Sequence, residues 1–160
     1  MGIRMVTKLS AIDRLFEKMF TIIRQEFMMA LAKLGEESVV KVRDRSQDES
    51  WYDHTSNLRS SIGYAVYDYG HKMVQSAFEA LGGGTEGSEE GKRLVDDLAK
   101  EYAESFALVV VAAMNYAEYV EAIETKDVLA STELWAKSVV DARLERAKQE
   151  AIRKINNLRV

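Results

Sequence analysis

Leu58-Arg59-Ser60-Ser61-Ile62-Gly63-Tyr64-Ala65-Val66-Tyr67 is the stretch on which the fold turns. Leu58, Ser60, Ile62, Tyr64 and Val66 alternate with Arg59, Ser61, Gly63, Ala65 and Tyr67. A period of two places the two sets on opposite faces of an extended strand, and the first set is the more apolar. Asp68 to His71, with Gly70, has turn chemistry, so a hairpin with a second strand around Lys72 to Phe78 is expected.

Upstream the period is helical. Ile12, Leu15, Phe16, Met19, Ile22, Ile23, Ala30 and Leu34 recur every three to four residues and mark the expected buried side of a long amphipathic helix. Ser10 and Asp13 have capping-box spacing at its start, and Gly35 is the expected point of a bend or pause. Ser46 to His54 is polar and reads as a loop.

Downstream, Leu81 to Gly91 holds Gly82, Gly83, Gly84, Gly87 and Gly91. By composition this is a flexible loop, with a short helix expected from about Glu89 to Glu104. Phe106 to Ala113 is a Val-rich apolar run that reads as a central strand buried on both faces. Asp127 to Ala130 suggests a brief fourth strand. Ser131 is the expected cap of a last helix whose buried side carries Leu134, Trp135, Val139, Ala142, Ala147, Ala151, Ile155 and Leu158. The expected class is α+β: long N-terminal and C-terminal helices packed on a small, mainly antiparallel sheet of three to four strands, in one domain over residues 1–160.

Composition narrows the function classes. The chain has 160 residues, 47% hydrophobic and 30% charged, which disfavours global disorder. Without cysteine there is no disulfide framework or thiolate metal site, and the absence of proline suits long helices. No apolar stretch reaches the length of a membrane-spanning helix, and no secretory signal is visible, so a soluble protein of the cytoplasm is expected. The net charge of −4 argues against a dedicated nucleic-acid binder. Charge is layered along the chain: residues 1–47 carry nine basic and six acidic side chains, 48–133 six and seventeen, and 134–160 seven and three. Such a basic–acidic–basic order can help subunits pack side by side, although a solvated face is the commoner explanation.

Chemistry-bearing patterns are sparse. Gly87-Ser88-Glu89-Glu90-Gly91-Lys92-Arg93 is one residue short of a phosphate-binding loop and ends in Arg, and its glutamates would repel phosphate. His54 and His71 lack compact metal-ligand spacing. No nucleophile elbow is present. Glu118 and Glu121 would share one helix face and could act as acid and base, yet carboxylates at that spacing usually face solvent. Tyr116 and Tyr119 are better packing residues than a base-stacking platform, given the acids around them. No catalytic residue, metal or cofactor is expected.

Two longer motifs carry a family resemblance. Asp53-His54-Thr55-Ser56-Asn57-Leu58-Arg59-Ser60-Ser61-Ile62-Gly63-Tyr64 resembles the "(D)xTGNLRSSIGY" segment of phage tail-completion, or head–tail joining, proteins, also labelled minor tail components. Ala113-Met114-Asn115-Tyr116-Ala117-Glu118-Tyr119-Val120-Glu121 is similar to that family's "GMxYAxYVE", and Asp127-Val128-Leu129 with Ser131 and Glu133 to its entry into the last helix. Ser56 and Ala113 stand where the family favours glycine, the residue suited to a positive-φ turn.

The resemblance implies a structural virion protein of a tailed phage or prophage, made in the bacterial host cytoplasm and placed at the head–tail junction. It implies homo-oligomeric, commonly hexameric, rings touching the connector and the tail-tube or tail-terminator proteins, with no sequence-specific nucleic-acid binding and no membrane partner. Thr55, Asn57, Leu58, Arg59, Ser60, Ile62, Asn115, Tyr116, Tyr119, Val120 and Glu121 are then the family-motif and interface candidates. Gly82, Gly83, Gly84, Glu86, Glu89 and Glu90 form a candidate contact or channel-facing loop, whose acids would discourage DNA from adhering. The competing reading is a small cytoplasmic enzyme or ligand-binding domain using Glu118 and Glu121 near Asn57 and Arg59; a third is a helical interaction module without a viral role.

Overall fold

A computed structural model describes residues 9–44, 54–118 and 128–158. Helix α1 (Leu9–Arg43) leads to a short helix α2 (Asn57–Ser61), strands β1 (Ile62–Asp68) and β2 (His71–Gln75), helix α3 (Thr85–Asp97), strand β3 (Phe106–Ala112) and helix α4 (Ala130–Asn156). The architecture is α+β. The sheet is antiparallel with order β2-β1-β3, so β1 pairs on both edges.

All seven residues of β1 are buried. Its side chains alternate between two cores. Ile62, Tyr64 and Val66 join Leu31, Val39 and Val42 of α1, whereas Ala65 and Tyr67 join Phe78, Val95 and Val111 beneath α3. Helices therefore cover both faces of the sheet. The Val-rich β3 is an edge strand, not the central one. It is apolar throughout because both its faces pack: Phe106, Leu108 and Val110 toward α1 and α4, Ala107 and Val109 toward α3.

Five local expectations are corrected. The strand begins at Ile62; Leu58 to Ser61 form α2 instead, because Ser56 adopts a left-handed conformation (φ 60°, ψ 7°) from which a helical turn starts. α1 runs through Gly35 without a break. A Cβ there would lie 2.4 Å from the Tyr64 ring, so glycine lets α1 close onto β1 rather than interrupting the helix. Val128 and Leu129 bend rather than forming a fourth strand, and Leu129, not Ser131, is the residue before α4; Asp127 lies outside the described residues. Ser10 sits inside α1, not ahead of it.

Antiparallel to α1, α4 is tied to it at several levels. Arg143 Nη1 donates to Glu37 Oε1 at 3.0 Å, Lys154 pairs with Glu26, and Lys41 and Arg143 lie 5.2 and 5.8 Å from the Trp135 ring centroid. The Arg143 hydrogen bond holds the Glu37 carboxyl below its usual range. Glu133 in the first turn of α4, and Arg153 and Lys154 in its last, match the helix dipole. Of the expected buried side, Ala147 and Ala151 are buried, but Leu134 is 70% exposed and Ala142 is exposed. Likewise Leu34 is buried on α1, while Phe16 is 52% exposed and Ile23 36%. Helical spacing identifies a stripe; it does not say what covers it.

Burial raises two phenols. Tyr64, beside Glu36, and Tyr67, near Asp96 and stacked on Tyr102 at 5.5 Å, are each pushed up to about 12, with desolvation the largest cause. Both groups ionise more easily unfolded than folded, so their contribution is complete below the ordinary phenol range and is lost as pH rises toward 12. Denaturation midpoints followed by circular dichroism should fall between about pH 10 and 12, with a shallower fall in Tyr64→Phe and Tyr67→Phe. An unchanged slope in both variants would contradict the two buried phenols as its source.

Candidate interaction surface

The Thr55–Ile62 motif is brought together with the glycine-rich stretch. Asn57 Oδ1 accepts the Gly87 amide at 3.2 Å, and its Nδ2 donates to Glu86 at 2.9 Å. Ser60 Oγ accepts the Leu81 amide at 2.9 Å. Ser61 Oγ donates to the Leu58 carbonyl at 2.8 Å and accepts the Ala113 amide at 3.1 Å, linking the motif to the end of β3. The Thr55 hydroxyl accepts the Asn57 amide at 3.4 Å. Leu58 and Ile62 are almost fully buried.

On the other side, two arginines exchange bonds with each other's backbone. Arg59 Nη1 donates to the Arg43 carbonyl at 2.6 Å, and Arg43 donates to the carbonyls of Arg59 (3.1 Å) and Ile62 (2.7 Å). Burial pulls the Arg43 guanidinium below its ordinary range, opposed by Glu79 and Asp44. These carbonyls belong to the α2–β1 junction and the end of α1, so the arginines supply bonds that no regular element offers there. The motif acts as a structural junction among α1, α2, α3 and β3.

The expected flexible loop is ordered. Leu81–Gly83 form a 3₁₀ turn and Thr85 opens α3. Its glycines serve approach rather than mobility: a Cβ on Gly87 would meet the Asn57 carbonyl oxygen at 1.9 Å, and one on Gly84 the Ser56 oxygen at 2.3 Å. Backbone thus packs on backbone between α2 and α3. Gly82 and Gly83 are exposed with positive φ. Glu86 and Glu89 lie on the exposed side of α3, and Glu90 pairs with Arg93. In the second motif, Asn115 and Glu118 are exposed, Tyr116 is half-buried, and Met114 and Ala117 enter the core beside α1. Tyr119, Val120 and Glu121 lie outside the described residues.

Away from the motifs, an apolar cavity of about 780 Å³ opens between α1, β3 and α4. Phe27, Leu31 and Leu34 of α1, Phe106, Leu108 and Val110 of β3, and Ala136, Val140 and Leu144 of α4 line it. At its rim, Arg24 Nε donates to Asp68 Oδ2 at 2.8 Å, and Lys137 pairs with Glu133. Asp68 is 3% exposed, and its other carboxylate oxygen has no hydrogen-bond partner among the described residues. Sequence periodicity marked part of this surface as core; only the packing reveals that it remains open. Among the described residues no group of histidines and carboxylates is arranged to hold a metal, and no helix is long and apolar enough to cross a membrane. No family model, curated protein or solved structure matches the chain.

Two substitutions test the junction. Ser56→Gly should stabilise the protein by up to about 1 kcal/mol, because glycine removes the steric cost of the left-handed backbone. Gly87→Ala should destabilise it by roughly 1–3 kcal/mol, since the α2–α3 backbone contact must open. Chemical denaturation reads both, and a neutral Gly87→Ala would show that the close approach is dispensable.

Proposed function

We propose that the chain is a structural virion protein of a tailed phage or prophage, completing the tail end or neck and joining it to the head connector. In this role it acts by protein–protein contact, as part of a homo-oligomer such as a hexameric ring, with connector and tail-tube or tail-terminator proteins as partners. It needs neither substrate nor cofactor. The host cytoplasm is its site of assembly and the virion its destination.

The observation that carries the reading is the division of labour within the chain. The Thr55–Ile62 motif, on which the resemblance to tail-completion proteins rests, is engaged inside the fold as a junction. An apolar recess between α1, β3 and α4 is left open among the described residues. A rigid block with an uncovered apolar face suits assembly by interface burial. Acids on the exposed side of α3 are consistent with a contact or channel-facing surface on which DNA finds no foothold.

The alternative of a small enzyme or ligand-binding domain has less behind it. Asn57 and Arg59 are held by internal hydrogen bonds, and Glu118 is an exposed residue beyond β3.

Deleting the gene in its phage should leave filled heads and separate tails, and the purified chain should restore joining in a mixed extract. Mass measurement of the chain with connector or tail-tube protein should show a complex burying at least about 1,000 Å² per contact. Normal particles from the deletion, together with no affinity for any virion component, would refute the assignment.

A further inference from the structure

The two edges of the sheet differ in how they are guarded. On one, β2 exposes His71, Met73 and Gln75, carries Lys72 paired with Asp96, and meets β1 with a register shift between Val66 and Tyr67. Charge and bulging of this kind keep an edge strand from pairing with another chain. On the other edge, β3 has neither. Phe106–Ala112 runs for seven residues without charge, proline or glycine, and its register with β1 is unbroken. The Ala113 amide bonds the Ser61 carbonyl and the Tyr69 amide the Ser105 carbonyl, which sets the phase of the ladder. Backbone groups of Ala107, Val109 and Val111 therefore point to β1, and those of Phe106, Leu108, Val110 and Ala112 point away from it. Among the described residues no strand pairs with that outward side.

We propose that β3 accepts an extended segment of a partner protein as a fourth strand of the sheet. The outward amides and carbonyls recur at every second residue, about 6.8 Å apart, along a strand about 23 Å long. An extended peptide backbone offers the same alternation of donors and acceptors, whereas a helix uses these groups within itself. Beside this edge lies the apolar recess. Phe106, Leu108 and Val110 line it from β3, and Ala136, Val140 and Leu144 from α4, all of them half-buried. Every second side chain of the added strand enters the recess, so those positions are apolar. Main-chain bonds then supply affinity, and the alternate pockets supply specificity. At the rim, Arg24 and Lys137 are matched by Asp68 and Glu133. The groove thus has no net charge there and suits a segment that is uncharged over the paired stretch.

A second copy suits this edge less well than a lone strand. Two β3 strands pair antiparallel about an axis normal to the sheet, which keeps both α4 helices on one side of it and at one edge. A single segment brings no helix with it. Seven paired residues bury about 1,000 Å² or less in total, below a standard interface. Such a segment binds weakly when free and belongs to a protein held to this one at further points. The inference rests on the sheet and the recess, and stands apart from the virion role proposed above.

The probe is a synthetic acetylated peptide of alternating valine and threonine, flanked by lysines and matched in length to β3, added to the full chain. Hydrogen exchange followed by NMR reads the edge amide by amide. In the free chain Ala107, Val109 and Val111 should be protected, and Leu108 and Val110 should exchange readily. The peptide should slow Leu108 and Val110 by at least about tenfold and leave the other three unchanged. Fluorescence anisotropy of labelled peptide should show affinity at least about tenfold weaker for Val110→Pro, which removes an outward donor that β1 does not use. Val110→Ala trims the same side chain but keeps the amide, and should change affinity by less than about threefold. Circular dichroism checks the fold of each variant; should Val110→Pro not fold, the exchange pattern decides alone. Absence of binding at millimolar peptide, binding that protects none of the outward amides, or equal losses in Val110→Pro and Val110→Ala would each overturn the proposal. So would protection of Leu108 and Val110 in the free chain, by a second copy if it rises with chain concentration and by another part of the same chain if it does not.

Discussion

The burial of β1 on both faces and both edges is the constraint from which the rest of the structure follows. A strand with Ile62, Tyr64 and Val66 on one side and Ala65 and Tyr67 on the other needs apolar cover twice. The two long helices can supply only one layer, because they pack against each other. The second layer must come from the segment between β2 and β3, and this is why a stretch rich in glycine becomes α3. Fully burying side chains of these sizes is worth about 1.5–3 kcal/mol each, so leaving either face bare would cost most of a typical domain's stability.

Polar side chains then solve the problem that close packing creates. Where α2 meets β1 the chain changes from helix to strand within one residue, and side chains supplement its backbone bonding. Arg43 bonds the Arg59 and Ile62 carbonyls and Ser61 the Leu58 carbonyl, while Ser60 and Arg59 tie in the Leu81 amide and the Arg43 carbonyl, and Asn57 ties the junction to α3. A buried backbone group left without a partner costs about as much as a lost hydrogen bond, so a cluster of short hydroxyls and two arginines at one corner has a structural sufficient cause. Residues that look like an interface motif in sequence are thereby accounted for inside a single chain.

How much of this was legible follows from which signals are local. The periods of 3.6 and 2 located α1, α4, β1 and β2 within a few residues, because they depend only on neighbouring side chains. Composition misread 81–91: glycine there answers the approach of Asn57, thirty residues away along the chain from Gly87, a distance no window reports. The place of β3 at the sheet edge was hidden for a similar reason, since two covered faces yield the same apolar run as a central position. Phe16, Phe20 and Ile23 show the limit from the other side. Their spacing is that of a core face, yet the sheet ends before it reaches them. The engagement of Arg59 with Arg43 and of Ser60 with Leu81 could not be read from spacing.

Helix α1 is continuous over thirty-five residues but is held unequally along its length. From Leu31 to Val42 it lies on the sheet, with Leu34 and Val42 almost without exposure. Before Glu26 most of its residues are exposed, with Leu158 beyond α4 beside Ile22 and with Arg24 paired to Asp68. A single helix therefore spans two levels of local stability, and its amide protons should not exchange with solvent as one unit. Opening can begin at its first turns and stop near the Arg24–Asp68 ion pair, leaving the sheet and both cores closed. The molecule thus has a built-in boundary between a part that breathes and a part that unfolds only with the whole.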